Sequence, residues 1–441
     1  MGRRAGTLSL LNMALLYPFM QLGVFADVLG LSFDTCRSVH GAAAWMTSAL
    51  LALHIVVAML DQQKFSLHEQ SNLFAVIGAG SLAGLMLFSL SLFRRLSFEL
   101  FLRTHQALAA VCIYMTWRHL PSESIFPRVY IYIPLAILLL STFLHVLLFL
   151  YQNGILPSRT YPYASVMCRK KSENTEESDE YPAEDTPLKI RVALPRPMHV
   201  KAGQYVNLWM PSVSFSSWLQ CHSFMVTSWS PGRQHVLDLF VQTRHGLTEK
   251  LRARAAREGT ASFTAFVSGP YGRSEPVGEY ESVLAVASGF GIAGVVPYIK
   301  RLLYGHNKAR RVHLVWQVQR RDIGVAAEPL LNSLLDDDVP DDGYILEMSF
   351  YAEYKTKAGK ERPFGEHHRA TIYNGFPDYD SIISTEASRV HIDRVSNSQE
   401  EKGKLLVLIS ANDELRDHLT VIVRKYLDQR VKFRKVEFQP S

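Results

Sequence analysis

The chain has 441 residues, 48% of them hydrophobic and 20% charged, with a formal net charge of +6. That length holds two or three domains, and the basic excess forms no stripe interleaved with aromatics, which argues against nucleic-acid binding; arginines flanking membrane spans account for it better. Four cysteines, Cys36, Cys112, Cys168 and Cys221, show no C-x-x-C pairing, which argues against a disulfide framework and a zinc site.

Residues 1 to about 150 are nearly continuous apolar runs with short charged breaks, whereas 160–441 have the balance of a soluble α/β protein. Spans are expected at about 8–26, 39–60, 72–93, 100–119 and 129–150, each near the ~20 residues that cross a hydrocarbon core. No small-residue cleavage site follows the first apolar run, so it is read as a retained helix rather than a signal peptide. Five spans put the two ends on opposite sides. Arg94 and Arg95 end the third span, and Arg159, Arg169, Lys170 and Lys171 follow the fifth, on the side read as cytosolic; Arg3, Arg4, Lys64, Arg118 and Arg128 fall on the other.

Four histidines stand out in these spans. His40 and His54 are fourteen positions apart, and so are His105 and His119. Fourteen positions make close to four turns, so both histidines of a pair face one side of the helix, separated by ~21 Å along the axis. Two such helices running parallel offer two stacked His–His sites, and ionisable groups in membrane spans default to a functional reading. An iron held by imidazole on both sides is closed to ligands and suits electron transfer. His145 also lies in an apolar run, but Arg159 stands fourteen places on; it reads as a packing or interfacial residue.

The acidic stretch at 172–185 cannot bury apolar area and reads as a solvated excursion. The strand-like segments LKIRVALP, QYVNLWMP, HSFMVTSW, HVLDLFVQT and ASFTAFVSGPYG follow, spaced as in a small antiparallel barrel. From about 282 strand and helix alternate: SVLAVAS, a glycine turn with Gly289, Gly291 and Gly294 in G-x-G-x-x-G spacing, the helix VVPYIKRLLYG, then the strand RRVHLVWQVQ. A glycine turn between strand and helix permits close approach of a pyrophosphate to the helix N-terminus. Arg320 and Arg321 end the second strand, where an adenine ribose would lie; they either bind a 2′-phosphate, favouring NADPH over NADH, or merely end a solvated strand. Residues 355–404 read as a polar, strand-poor insertion before the last core strand, KLLVLIS.

Together these pieces resemble the ferric reductase and NADPH oxidase superfamily, most nearly the fungal ferric-chelate reductases, over almost the whole chain. The resemblance implies a haem-bearing transmembrane helical bundle over 1–155, an FAD-binding antiparallel β-barrel over 156–278 and an NADPH-binding α/β domain over 279–441, the last two forming a ferredoxin-reductase-type module. It assigns an inner haem b to His40 and His105 and an outer haem b to His54 and His119. Segment 222–225 takes the place of the family's His-Pro-Phe-Thr flavin motif: His222 and Phe224 match, Ser223 and Met225 depart, and Thr227 and Ser228 are expected to assist. Gly246 and Thr248 resemble the step that holds the flavin pyrophosphate, with Arg244 supplying charge. Gly269, Pro270, Tyr271 and Gly272 match the family's GPYG at the edge of the nicotinamide site. Where the family has Cys-Gly-Pro this chain has Ser410, Ala411 and Asn412, and Phe438 is the nearest candidate for the terminal aromatic over the flavin.

The expected function is transfer of electrons from cytosolic NADPH through FAD and two haems to an acceptor across the membrane, with no residue needed as acid or base. Ferric chelates are the favoured acceptor. Oxygen, giving superoxide, is the alternative, and a non-catalytic membrane paralogue is the rival of another class. The expected partners are the bilayer and the acceptor, with a homo-oligomer or accessory subunit allowed; the expected location is the plasma membrane with the C-terminal domains cytosolic.

Overall fold

The computed structural model describes residues 2–17, 26, 29–31, 33–61, 66–96, 98–122, 125–155, 161–168, 186–305, 307–338, 344–353, 361–365, 369–392 and 403–438. The acidic stretch 172–185 lies outside the described residues, as do His367 and His368 of the insertion. Chain contacts gather into two compact units: Met1–Phe149 with Tyr271–Arg273, and Leu150–Pro270 with Ser274–Ser441.

The first unit is helical: α1 (Gly2–Ala14), α2 (Phe33–Asp61), α3 (Gln70–Phe88), α4 (Ser91–Leu96), α5 (Phe98–His119) and α6 (Ile125–Gln152). Helices satisfy every backbone polar group internally, as a hydrocarbon environment requires. Three of them, over 33–60, 70–88 and 125–152, are long and apolar enough to cross a membrane. The expected fourth span, α5, has the length but also carries Arg103, Arg118 and two histidines. The first differs more from expectation: the helix begins at Gly2 and ends after 13 residues, and Leu15–Tyr17 form a turn.

Small residues set the helix contacts. On α1, an added Cβ at Gly2 would meet Val57, and one at Gly6 would lie 3.0 Å from the His54 ring. Ser9 Oγ donates to Thr47 O at 3.0 Å, so α1 runs antiparallel to α2. Gly78 packs on Met115 and Gly84 on Leu108, which sets α3 antiparallel to α5. His40 faces His105, and further along both helices Leu51 joins Cys112 and Ile113 in one cluster with Met13, Tyr17 and Leu82. The two histidine helices, α2 and α5, therefore run parallel.

The second unit opens where α6 ends. Asn153 is buried and makes a two-way amide pair with Val267, Nδ2 donating to the carbonyl and Oδ1 accepting from the N–H, both at 2.7 Å. Gln152 Nε2 donates to Gly269 O at 2.7 Å. Two small sheets follow. The first, with order β5-β2-β1-β6, contains β1 (Tyr163–Met167), β2 (Pro187–Met198), β5 (Gln234–Gln242) and β6 (Thr260–Thr264). The second, with order β4-β3-β7, contains β3 (Tyr205–Trp209), β4 (His222–Met225) and β7 (Phe266–Tyr271). A bridge between Val226 and Leu239 joins them, and alternate apolar residues (Val192, Val206, Leu208, Leu237, Leu239) close one core, capped by α7 (Leu247–Glu258). This is the expected antiparallel barrel.

The α/β part is a seven-stranded sheet of order β11-β12-β10-β9-β8-β13-β14, parallel apart from β11. Its strands are β8 (Ser282–Ser288), β9 (Arg311–Val318), β10 (Leu346–Ala352), β11 (Glu361–Pro363), β12 (Ala370–Asn374), β13 (Leu405–Ser410) and β14 (Val431–Lys435). The helices are α8 (Ile292–Leu303), α9 (Arg321–Asp337), α10 (Tyr379–Ser388) and α11 (Asp413–Arg424). The fully buried runs of β8 and β13 are what a parallel sheet covered on both faces demands. The expected strand-poor insertion at 355–404 needs correction. It supplies β11, β12 and α10, and β12 extends the core sheet by pairing with β10. A five-residue strand reading Ala-Thr-Ile-Tyr-Asn carries too little periodicity to be read from sequence.

Candidate functional site

In the helical unit, His40 and His105 face each other with ring centroids 6.2 Å apart and planes inclined at 52°. Two metal–imidazole bonds of about 2.0 Å, each with a ring centre roughly 1.1 Å behind the nitrogen, separate opposed ring centres by about the same amount. The pair thus stands at the spacing that one ion between two imidazoles requires.

The second ring nitrogens are fixed by partners. His54 Nδ1 lies 2.9 Å from Gly2 O, and His119 Nδ1 lies 3.0 Å from Ser71 O, with Ser71 Oγ at 3.4 Å. A carbonyl only accepts, so both Nδ1 atoms carry the proton. His105 Nδ1 lies 3.4 Å from Ser89 Oγ, whose own proton goes to Leu85 O at 2.7 Å; here too the imidazole donates. Each of the three rings therefore keeps the Nε2 lone pair for a ligand, the usual arrangement of a metal-bound histidine held by its outer hydrogen bond. Gly2, Ser71 and Ser89 were not visible as site residues in the sequence. Two are common serines and the third acts through its backbone carbonyl, so no side-chain pattern marks them. Arg4 is exposed on α1.

In the barrel, β3 and β4 pair antiparallel so that Ser223 stands opposite Asn207 and donates to its Oδ1 at 2.7 Å. Strand alternation then turns Phe224 inward, where it is 3% exposed within the barrel core. His222 is half-buried, its ring centroid 6.4 Å from that of Phe224. Thr227 Oγ1 donates to Asp238 O at 2.8 Å and Ser228 Oγ accepts from Asp238 N at 3.0 Å, so both hydroxyls close the barrel seam.

The loop before α7 is built differently. Gly246 has φ +86°, which only glycine adopts without strain. Thr248 Oγ1 accepts from Arg244 N at 2.8 Å and donates to Arg244 O at 2.7 Å. That locks the turn while Arg244 and Gly246 remain exposed. No side chain caps the helix start, so its first N–H groups and positive dipole end are available to an anion. A flavin pyrophosphate fits here. The GPYG segment ends β7, with Gly269 at φ +125° and Gly272 at φ +93° and Tyr271 buried.

In the α/β sheet, strand order reverses between β8 and β13, and ligands of open parallel sheets bind outside the carboxyl ends at such a point. The Gly289–Gly291 turn follows β8 there, and Ser410 ends β13 beside it. The turn is held from below by Trp316, fully buried, whose Nε1 donates to Gly289 O at 2.9 Å. Sequence reasoning missed Trp316, because nothing marks a tryptophan in mid-strand as a turn support.

Of the three glycines, Gly289 takes φ +49°, as a tight turn needs. Gly291 and Gly294 serve protein packing: an added Cβ would collide with the Ser410 carbonyl at Gly291 and with Ser410 Oγ at Gly294. Gly291→Ala is therefore expected to lower the stability of the nucleotide-binding part by about 1–3 kcal/mol through overpacking, seen as a reduced Tm; an unchanged melting curve would show that β13 yields. Ser410 Oγ is itself fully buried with no hydrogen-bond partner among the described residues. Asn412 caps α11, its side chain accepting from Leu415 N at 3.0 Å, and its N–H donates to Ser288 Oγ at 3.2 Å. Phe438 packs half-buried against the sheet core. Arg320 grips Asp322 through two nitrogens, at 3.1 and 2.6 Å, while Arg321 is exposed.

Residues 5–116 match the family described as ferric reductase like transmembrane component, and residues 165–275 match an FAD-binding domain family. The chain is similar to ferric-reductase-type proteins in its helical part and to FAD-binding domains in its barrel. It is 29% identical to ferric/cupric reductase transmembrane component 2 of Saccharomyces cerevisiae over 58% of this chain and 33% of that protein. It is 28% identical to NADPH oxidase 1 of Rattus norvegicus over 30% of this chain and 24% of that one. Its match thus spans about a third of the yeast relative's length. Among solved structures, a ferredoxin NADP+ reductase from Neisseria gonorrhoeae aligns with 62% of this chain and 97% of its own, at 11% identity and a TM-score of 0.38. The segment similar to ferric reductase transmembrane components and the segment similar to FAD-binding domains occur in that order along the chain, followed by the α/β part.

Proposed function

We propose that the protein oxidises NADPH and delivers single electrons across a membrane to a ferric chelate, as a ferric-chelate reductase of the plasma membrane with its C-terminal parts cytosolic. The observation that carries this reading is the facing pair His40 and His105 on parallel apolar helices, with His54 and His119 one four-turn step along. His40 with His105 and His54 with His119 would each hold a haem b. The barrel would hold FAD, with the pyrophosphate at Gly246, Leu247 and Thr248, Arg244 beside it, and the ring near His222 and the Gly269–Gly272 turn. The crevice between Gly289 and Ser410 would take the nicotinamide nucleotide, where the buried Ser410 hydroxyl has no hydrogen-bond partner among the described residues. FAD held there would supply the conversion of a two-electron donor into single electrons, and a haem held between these imidazoles would supply one-electron transfer.

The residues themselves bind, orient and insulate. Thr248 fixes the phosphate loop, Trp316 fixes the glycine turn, and Gly2, Ser71 and Ser89 aim the imidazoles. No side chain has to move a proton. For nucleotide choice, Arg321 is the exposed guanidinium, since Arg320 is held by Asp322. Arg321→Ala is expected to raise KM for NADPH about tenfold, the worth of one charge-assisted hydrogen bond, and to leave KM for NADH unchanged; equal changes for both nucleotides would remove the 2′-phosphate assignment.

The test of function uses the full chain reconstituted in vesicles, with NADPH outside and a ferric chelate enclosed. Ferrous product inside, formed at a rate that superoxide dismutase does not alter, is the expected result. Loss of the signal on adding that enzyme would support oxygen as acceptor, a reading favoured by the similarity to NADPH oxidase 1. A purified protein with no haem spectrum on NADPH addition would leave the non-catalytic paralogue, to which the inward Phe224 and the packed Gly291 point.

A further inference from the structure

We propose that α5 and α6 form a phospholipid site, one acyl chain lying in an apolar groove between the helices and the headgroup phosphate resting on Arg128. The groove encloses about 360 Å³ and is lined by Ile113, Tyr114 and Trp117 of α5 and by Ile131, Tyr132 and Leu135 of α6, among others. At about 100° of rotation per residue, its α5 residues lie roughly opposite His105 and His119 on the helix. The groove is therefore separate from the histidine sites.

Its walls are almost wholly apolar, the tyrosine hydroxyls of Tyr114 and Tyr132 apart. Trp117 Nε1 donates to Tyr132 Oη at 3.0 Å, so the indole N–H on the wall is already used. Among the described residues a strong donor, Arg128, stands against the Trp117 wall. The Arg128 guanidinium lies 5.4 Å from the centre of the Trp117 ring, and its Nη2 donates to Leu120 O at 3.1 Å. Its Nε is shut off from solvent and has no hydrogen-bond partner among the described residues. A buried donor on a charged group left without an acceptor is costly, and an anionic oxygen would satisfy both the charge and the N–H. An apolar channel ending at a guanidinium with one N–H unmet among the described residues is complementary to a molecule with an apolar tail and an anionic head. The occupant is a membrane phospholipid because α6 is long and apolar enough to span the bilayer, and its neighbouring Ile133, Ile137 and Leu139 are exposed as lipid-facing residues would be.

The full chain, purified in mild detergent and examined by native mass spectrometry, is expected to retain one glycerophospholipid per chain. After delipidation it should rebind dioleoyl phosphatidylglycerol. Arg128→Gln, which removes the charge, and Leu135→Trp, which fills the groove, are each expected to lower occupancy at least about fivefold, equivalent to about 1 kcal/mol of binding free energy. Far-UV circular dichroism and gel filtration establish that both variants remain folded. Equal retention by wild type and both variants would overturn the site. Displacement of the lipid by millimolar inorganic phosphate, with Leu135→Trp binding as wild type does, would overturn the groove and leave only an anion contact at Arg128.

Discussion

His105→Ala is expected to purify with one haem in place of two and to lose at least about a hundredfold in ferric-chelate reduction, while flavin bleaching by NADPH continues at the wild-type rate. The loss should exceed the 10–100-fold that follows removal of a ligand's outer hydrogen-bond partner alone, because an interrupted chain of single-electron carriers has no parallel route. The imidazole being removed stands 6.2 Å from that of His40 and is aimed by Ser89. His54→Ala and His119→Ala should each remove the other haem with the same pattern, since their Nδ1 protons are committed to Gly2 O and Ser71 O. Haem content by pyridine haemochrome, read beside flavin reduction, checks both halves. Two haems retained in His105→Ala would end the ligand assignment, and slowed flavin bleaching would mean that the barrel had been disturbed instead.

Glu386→Ala is expected to destabilise the α/β part by about 3–5 kcal/mol, the cost of leaving a buried charge without its partner. Glu386 lies on α10, 2% exposed. Arg311 donates to it through Nε at 3.0 Å and Nη2 at 2.7 Å, and His313 Nδ1 lies 2.9 Å away. Burial alone would raise this carboxyl; the hydrogen bonds from His313 and Arg311 overcome it and hold the pKa at about 2. The folded value lies below the unfolded one of about 4.3. The stabilisation is therefore fully present above roughly pH 4.5 and is lost as pH falls toward 2, amounting to about 3 kcal/mol. Thermal melts of the wild type should show Tm falling over that window, and Glu386→Gln should flatten the fall. A wild type whose Tm held constant from pH 5 to pH 3 would remove Glu386 from the argument.

The same residues extend to Ser349, whose Oγ lies 2.9 Å from His313 Nε2, so Ser349, His313 and Glu386 are connected as in a serine hydrolase. Burial and place decide against that chemistry. All three are under 9% exposed, and His313 near the amino end of β9 and Ser349 in mid-β10 stand away from the carboxyl edge where open parallel sheets bind ligands. The network fastens α10 to the sheet.

Sequence alone determined the spacing of the histidines, because a helix converts fourteen positions into one face whatever surrounds it. It likewise determined the strand runs of the barrel and the glycine turn after β8, since alternation and positive φ are local properties. What it left undecided was anything that depends on a partner distant in the chain. The proton on His54 is set by Gly2, 52 positions away, and that on His119 by Ser71, 48 away. The G-x-G-x-x-G spacing is the same string whether its middle glycine admits a phosphate or a strand; only the sheet order, which brings β13 beside β8, put Ser410 against it. In the polar stretch after β10, helix α10 docks on the sheet because Arg311, far back on β9, supplies the charge and His313 a further hydrogen-bond partner that let Glu386 be buried. Backbone periodicity is written in neighbours, but burial, tautomer and close approach belong to whichever side chains the fold brings together.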